Sequence, residues 1–245
     1  LVYHLAAVVS AEAEADFEKG YAVNLAAIQA LLEAIRLEGN APRFVFSSSL
    51  AVYGPPFPDP VPEDFGLRPQ SSYGTQKAIG ELLVADYARK GFIEGITLRL
   101  PTIVIRPGAA NAAASGFLSG ILREPLAGLP AELPVAEEAR VWIASPRVAV
   151  ESLAHAATLP HEVLAETPVL NLNGLSVSIG EMLDSLERAA GAEARARVSR
   201  VDRPEIARIV QSWPPAFVTE RARALGFPAD TSIDDIITDH LCATG

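Results

Sequence analysis

The strongest constraint on the fold is an alternation of short apolar runs with longer stretches of helical periodicity. Residues 1–7 read as a buried strand running into a loop, and residues 17–37 as one long amphipathic helix. Asn24, Leu25, Ile28, Leu31, Leu32 and Ile35 recur in that helix at helical spacing, and Gly39-Asn40 closes it. Residues 44–47 then form a second strand, residues 51–70 a Pro- and Gly-rich loop, residues 72–89 a helix with Ile79, Leu82, Leu83 and Tyr87 on one face, and residues 95–100 a third strand. Strands that alternate with helices predict a doubly wound α/β fold, a parallel sheet with helices on both faces. In such a sheet ligands sit beyond the carboxyl ends of the strands. His4-Leu5-Ala6-Ala7, Ser47-Ser48-Ser49 and Pro101-Thr102-Ile103 all fall at predicted strand ends, so they are expected to line one crevice.

After Arg106-Pro107-Gly108 the pattern changes. Short helices are expected at 121–129, 148–158, 179–190, 206–212, 217–225 and 233–241, and extended pieces at 133–135, 140–144 and 169–172. The expected organisation is a sheet-bearing part over 1–108. A smaller, mostly helical substrate region follows over 109–245, with some segments returning to the main domain. The net charge of −10 argues against a nucleic-acid partner, which needs a basic surface. No run approaches the roughly 18 apolar residues of a membrane span. The single cysteine, Cys242, excludes an internal disulfide and fits a cytoplasmic location. The four histidines show no metal-ligand spacing, so no metal is expected. The chain opens on Leu1 in what reads as a strand already under way, which is the expectation for a fragment.

The chemistry concentrates in Tyr73-Gly74-Thr75-Gln76-Lys77. On a helix Tyr73 and Lys77 are i and i+4 neighbours. A free tyrosine, with a pKa near 10, is a poor base, and a nearby ammonium favours its phenolate. Lowering that pKa by about three units takes roughly 4 kcal/mol of differential interaction. One ammonium in a partly dry cleft, helped by a cationic cofactor ring, supplies it and makes a general base. Taken alone, Tyr-x-x-x-Lys is an ordinary surface pair, and its context gives it meaning.

A strand ending in Ser47-Ser48-Ser49, then Val52-Tyr53-Gly54, then Tyr73 and Lys77 resembles the extended short-chain dehydrogenase/reductase family. That family includes the sugar-nucleotide epimerases and dehydratases. The resemblance implies a Rossmann-like fold and an NAD cofactor, with Tyr73, Lys77 and Ser49 catalytic. It implies that Ser47 and Ser48 orient the loop and touch the cofactor; an exchange of roles between Ser48 and Ser49 stays open. Leu5, Ala6 and Ala7 match the motif that lies along the cofactor ribose and nicotinamide. Asn24 matches an asparagine that helps hold the catalytic geometry or the cofactor, and Pro101 and Ile103 match the segment packed on the nicotinamide. Thr102 stands where many sugar-nucleotide enzymes carry Asn. Arg140 matches an arginine that binds substrate phosphate, although Val141 replaces the Asp that normally follows it. Asn111 falls in a stretch that could cover the substrate. The Gly-rich turn and acidic selector of the family are not in this sequence, so NAD against NADP is not readable. The resemblance also implies a homodimer through helices 17–37 and 72–89.

Finer motifs narrow the resemblance. Arg99 to Gly108, Asn111 to Phe117, Arg123-Glu124-Pro125-Leu126, Trp142 to Arg147 and Arg221 to Phe227 look like the branch that oxidises D-erythronate. This implies NAD-dependent oxidation of a small sugar acid at its C2 hydroxyl, in carbohydrate metabolism. Two other readings stand beside it. A sugar-nucleotide epimerase or dehydratase uses the same triad with a tightly bound NAD, and a dinucleotide-sensing regulator uses no catalysis at all.

Overall fold

A computed structural model describes residues 1–108, 115–166 and 168–244. Its main sheet is parallel throughout, with β1 (Val2–His4), β2 (Arg43–Ser49), β3 (Glu94–Leu100) and β7 (Val169–Asn171) side by side in that order. Between β1 and β2 run α1 (Ser10–Ala15), α2 (Phe17–Tyr21), a π-helical turn at Ala22–Ala26, and α3 (Ala27–Glu38). α4 (Ser72–Arg89) connects β2 to β3. Ile28, Leu32 and Ile35 of α3 and Val84 of α4 pack with Phe44 and Phe46 on one face of the sheet. Val45, Ile96 and Leu98 point to the other face. There they meet Ala156 of α6 (Pro146–Ala156), Leu164 of α7 (His161–Glu166), Ala222 of α11 (Glu220–Ala224) and Phe227. This is the doubly wound α/β arrangement predicted from the alternation.

A second core lies beyond the carboxyl ends of the main strands. β4 (Thr102–Ile103), β6 (Arg140–Ala144) and β8 (Leu175–Ser178) form a small sheet in which β6 runs parallel to β4 and antiparallel to β8. β5 (Ala131–Leu133) pairs with β9 (Val198–Arg200). Around them pack α5 (Gly116–Leu126), α8 (Ile179–Ala190), α9 (Ala192–Arg195), α10 (Pro204–Gln211) and α12 (Ile233–Thr244), through Leu118, Ile121, Met182, Leu186, Val210 and Ile236 among others.

Three expectations change. The helix expected over 17–37 is two α-helical pieces around a π turn, and the extra residue of that turn carries Asn24 inward. The stripe Ile79, Leu82, Leu83 and Tyr87 only half holds: Leu83 and Tyr87 pack on the core, Leu82 is 64% exposed, and Gln76, Lys77, Gly80 and Glu81 are buried. The reason is close approach and charge. A Cβ on Gly80 would lie 2.9 Å from the Phe46 ring, so glycine lets α4 settle on β2, and the buried charges find partners there. Finally, β8 and β9 form where the sequence suggests no strand, because each depends on a partner far along the chain.

Candidate active site

Ser71 starts α4 by accepting a hydrogen bond from the Gly74 N–H at 3.1 Å, which places Tyr73 and Lys77 on the first turns. Register places His4 beside Phe46 and Ser49 beside Leu100, so the ends of β1, β2 and β3 open on one edge. The Lys77 ammonium reaches across to that edge and donates to the Ser47 carbonyl at 2.7 Å. It lies 4.9 Å from the Phe46 ring centre and 5.7 Å from that of Tyr73. The Ser49 side chain stands next to the Tyr73 hydroxyl and acts to lower its pKa. Ser49 also accepts from the Ala51 N–H at 3.2 Å. Tyr73, Lys77 and Ser49 are therefore brought together.

Ser48 points elsewhere. Its hydroxyl donates to Glu81 Oε1 at 2.5 Å inside the wall, because the strand pleat turns alternate side chains to opposite faces. Ser47 turns its hydroxyl to the His4 carbonyl and stitches β2 to β1. Asn24 is also a staple: its side chain accepts from Val8 N–H at 2.9 Å, and donates to Val8 C=O at 3.2 Å and to Gln76 Oε1 at 2.7 Å. It fixes the loop after β1 to the catalytic helix. Leu5, Ala6 and Ala7 are exposed on that loop. Pro101 is buried and Thr102 and Ile103 half-buried directly after β3. Asn111 lies outside the described residues. Arg140 sits at the exposed start of β6, donating to the Ser176 carbonyl at 2.6 Å and to Glu181 at 3.3 Å.

The electrostatics differ from the expectation that Lys77 lowers the Tyr73 pKa. Burial dominates and raises it, and the Ser49 side chain opposes that rise. Lys77 itself is lowered to about 8 by burial, against the pull of the Glu81 carboxylate. His4 is lowered too, by burial and by Lys77. An unfolded lysine keeps its proton to about pH 10.4. Between the two values the folded chain binds fewer protons than the unfolded one, so stability rises with pH. The urea midpoint is expected to climb from pH 8 to pH 10 relative to Lys77→Met, and a flat difference between the two proteins over that range would refute the shift.

Sequence reasoning missed a buried network behind the triad. Arg99, 8% exposed, holds Glu81, 2% exposed, through Nε at 2.9 Å and Nη2 at 2.6 Å. Arg99 also donates to the Tyr53 hydroxyl, which donates to Asn171 Oδ1 at 2.9 Å. The available signal was Arg99 inside an otherwise apolar strand, together with Glu81 four residues after Lys77.

A dinucleotide fits what this edge offers. The alanines after β1 add no bulk, and among the described residues the Lys77 ammonium has one acceptor for its three donors. Among the described residues, no cluster of His, Cys, Asp and Glu is able to hold a metal ion, and no helix is long and apolar enough to cross a membrane. The profile of the NAD dependent epimerase/dehydratase family matches residues 1–143. A D-erythronate dehydrogenase of Cupriavidus necator is 52% identical over 98% of this chain and 74% of its own length. A D-erythronate dehydrogenase of Haemophilus influenzae is 44% identical over 98% of this chain and 76% of its own length. A solved structure described as a nucleoside-diphosphate-sugar epimerase from Agrobacterium tumefaciens is 50% identical with a TM-score of 0.95, covering 99% of this chain and 72% of that one. With a parallel sheet, a Tyr–Lys–Ser cluster at its carboxyl edge and that match across more than half of its length, the chain belongs to the NAD dependent epimerase/dehydratase family.

Proposed function

We propose that the chain oxidises D-erythronate at its C2 hydroxyl to the 2-keto acid, with NAD as the oxidant. The observation that carries this reading is the contact of Tyr73 with Ser49 at the carboxyl edge of the sheet, with Lys77 alongside. The names of the two curated relatives support the substrate. Tyr73, as phenolate, takes the proton of the C2 hydroxyl. Ser49 holds the same oxygen, keeping C2 in line for loss of its hydrogen with the electron pair. Lys77 stands beside the Tyr73 ring and offers donors to a ribose. NAD, when bound, supplies the hydride acceptor. Pro101, Ile103, Leu5, Ala6 and Ala7 form the wall against which it would lie. Thr102 belongs to the substrate side, with the part of the chain after residue 115 that does not return to the main sheet.

The acid also needs a cation. Arg140 is the family-matched arginine, but it is shared between Ser176 and Glu181. Arg106 follows β4 by three residues, is half-buried, and has no ion pair among the described residues. Burial and the neighbouring Arg123 lower its pKa, a setting that an anion relieves. We infer that Arg106 shares the carboxylate with Arg140 or replaces it. Arg106→Gln is expected to raise KM for the acid more than Arg140→Gln does. A larger effect at Arg140 would restore the family assignment.

The second reading is a sugar-nucleotide epimerase, favoured by the name of the Agrobacterium structure. The test is NADH formation at 340 nm with four-carbon sugar acids and UDP-sugars, using the full-length protein. Net NADH with D-erythronate supports oxidation. Interconversion of UDP-sugars without net NADH supports the epimerase and leaves the triad's roles intact.

Assembly as a homodimer through helices 17–37 and 72–89 fits the exposure of Phe17 (59%) and Leu82 (64%), and sedimentation in solution checks it.

A further inference from the structure

Tyr73, Lys77 and Glu81 are spaced four apart on α4, so they form one stripe along the helix. That stripe grips three consecutive residues of β2. Lys77 holds the Ser47 carbonyl, Glu81 holds the Ser48 hydroxyl, and Tyr73 meets the Ser49 side chain. Glu81 is fixed from behind by both its oxygens on Arg99 of β3. We propose that Glu81 is a positioning residue of the active site: its carboxylate, braced by Arg99, clasps the Ser48 hydroxyl and so fixes the end of β2 to α4, with Ser49 facing Tyr73 and the Ser47 carbonyl facing Lys77.

The charge of Glu81 also reaches Lys77, so the lysine reports on this clasp. From α4 the neighbours are Tyr73 and Glu81; from β1, His4; from β2, the Phe46 ring and the Ser47 carbonyl. From β3, Arg99 stands behind Glu81, and Tyr53 is bound to Arg99. His4 is pushed toward its neutral form, so Glu81 is the carboxylate that acts on Lys77. Burial alone would strip the proton from the lysine. Breaking a buried pair leaves its other member uncompensated, so the sign of the charge left behind decides what Lys77 feels. Glu81→Gln leaves the Arg99 cation, which opposes the ammonium. Arg99→Gln leaves the Glu81 carboxylate, which favours it.

The inference does not depend on which substrate is oxidised, since both readings above use the same triad, and its test needs no substrate. The chain has three lysines, Lys19, Lys77 and Lys90, so a lysine-selective 13Cε NMR titration resolves Lys77, with Lys77→Met giving the assignment. In the unaltered chain the Lys77 midpoint is expected at about 8. Glu81→Gln should move it down by about one pH unit or more, and Arg99→Gln should move it up. Glu81→Asp, which keeps the charge, should return it toward the unaltered value. A role limited to stability would lower the melting temperature of both variants and leave the Lys77 midpoint where it was. That result, or shifts of the same sign in both, overturns the proposal. If Glu81→Gln does not fold, Arg99→Gln and Glu81→Asp carry the same test: an upward shift in the first and near-restoration in the second support it, and no movement in either refutes it.

Discussion

Tyr73→Phe is expected to reduce turnover by about 10²–10⁴-fold, the usual contribution of a positioned general base, while leaving the fold intact. The substitution removes one hydroxyl. Ser49 is only half-buried and still accepts from the Ala51 N–H, so water is able to take the hydroxyl proton it had turned to Tyr73. The phenyl ring keeps its place beside the Lys77 ammonium, whose attraction to an aromatic face does not need the hydroxyl. KM should therefore change little and the melting temperature hardly at all. The pH profile gives a second readout. Because burial raises the Tyr73 pKa, the phenolate fraction grows with pH across the neutral range, and kcat should climb with it. In Tyr73→Phe the residual rate should lose that climb. Steady-state kinetics at 340 nm over pH 6.5–9 decide the matter: retained turnover, or an unchanged slope in the variant, removes Tyr73 from the chemistry.

The parts of this site that were legible in the sequence are local ones. Tyr73 and Lys77 meet because four residues make one helical turn, and the Ser47–Ser49 run marks a strand end because the apolar residues stop there. The partners of α4 were not legible. Glu81 meets Arg99 across 18 residues of sequence and Lys77 meets Ser47 across 30, so no local window contains the reason that these charges are buried. A hydrophobic pattern assigns the inner face to Ile79, Leu82, Leu83 and Tyr87, whereas charge pairing and the closeness allowed by Gly80 place the polar stripe inside. Asn24 illustrates the same limit. Its match to a residue that holds the catalytic geometry or the cofactor named no partners, and only the fold brings it to Val8 and Gln76. Arg140 was found by its motif, but its engagement with Ser176 follows from the β6–β8 pairing, which local periodicity does not announce.

Gly74→Ala is expected to damage both stability and turnover, against the ordinary trend. In an unobstructed helix interior this change gains up to about 1 kcal/mol. At this position the new Cβ would lie 2.1 Å from the Ala51 carbonyl oxygen, 3.0 Å from its carbon and 3.1 Å from Pro69 Cβ. The nearest of these are backbone atoms of the turn that follows Ser49, so no side chain is able to swing aside. Either the first turn of α4 or the Leu50–Val52 turn must move. Overpacking of this kind typically costs about 1–3 kcal/mol, which exceeds the gain in helix propensity. The displacement also falls between Tyr73, the preceding residue, and Ser49, two residues before Ala51. A shift of about 1 Å between reacting groups can cost on the order of 10²-fold in rate. Gly66→Ala supplies the control, since a Cβ there meets nothing within 4 Å. Thermal melts and kcat for both variants would separate the outcomes. A Gly74→Ala protein as stable and as active as the Gly66→Ala protein would mean that the 50–54 turn yields freely, and that Ser49 is not held to Tyr73 by the packing of α4 against it.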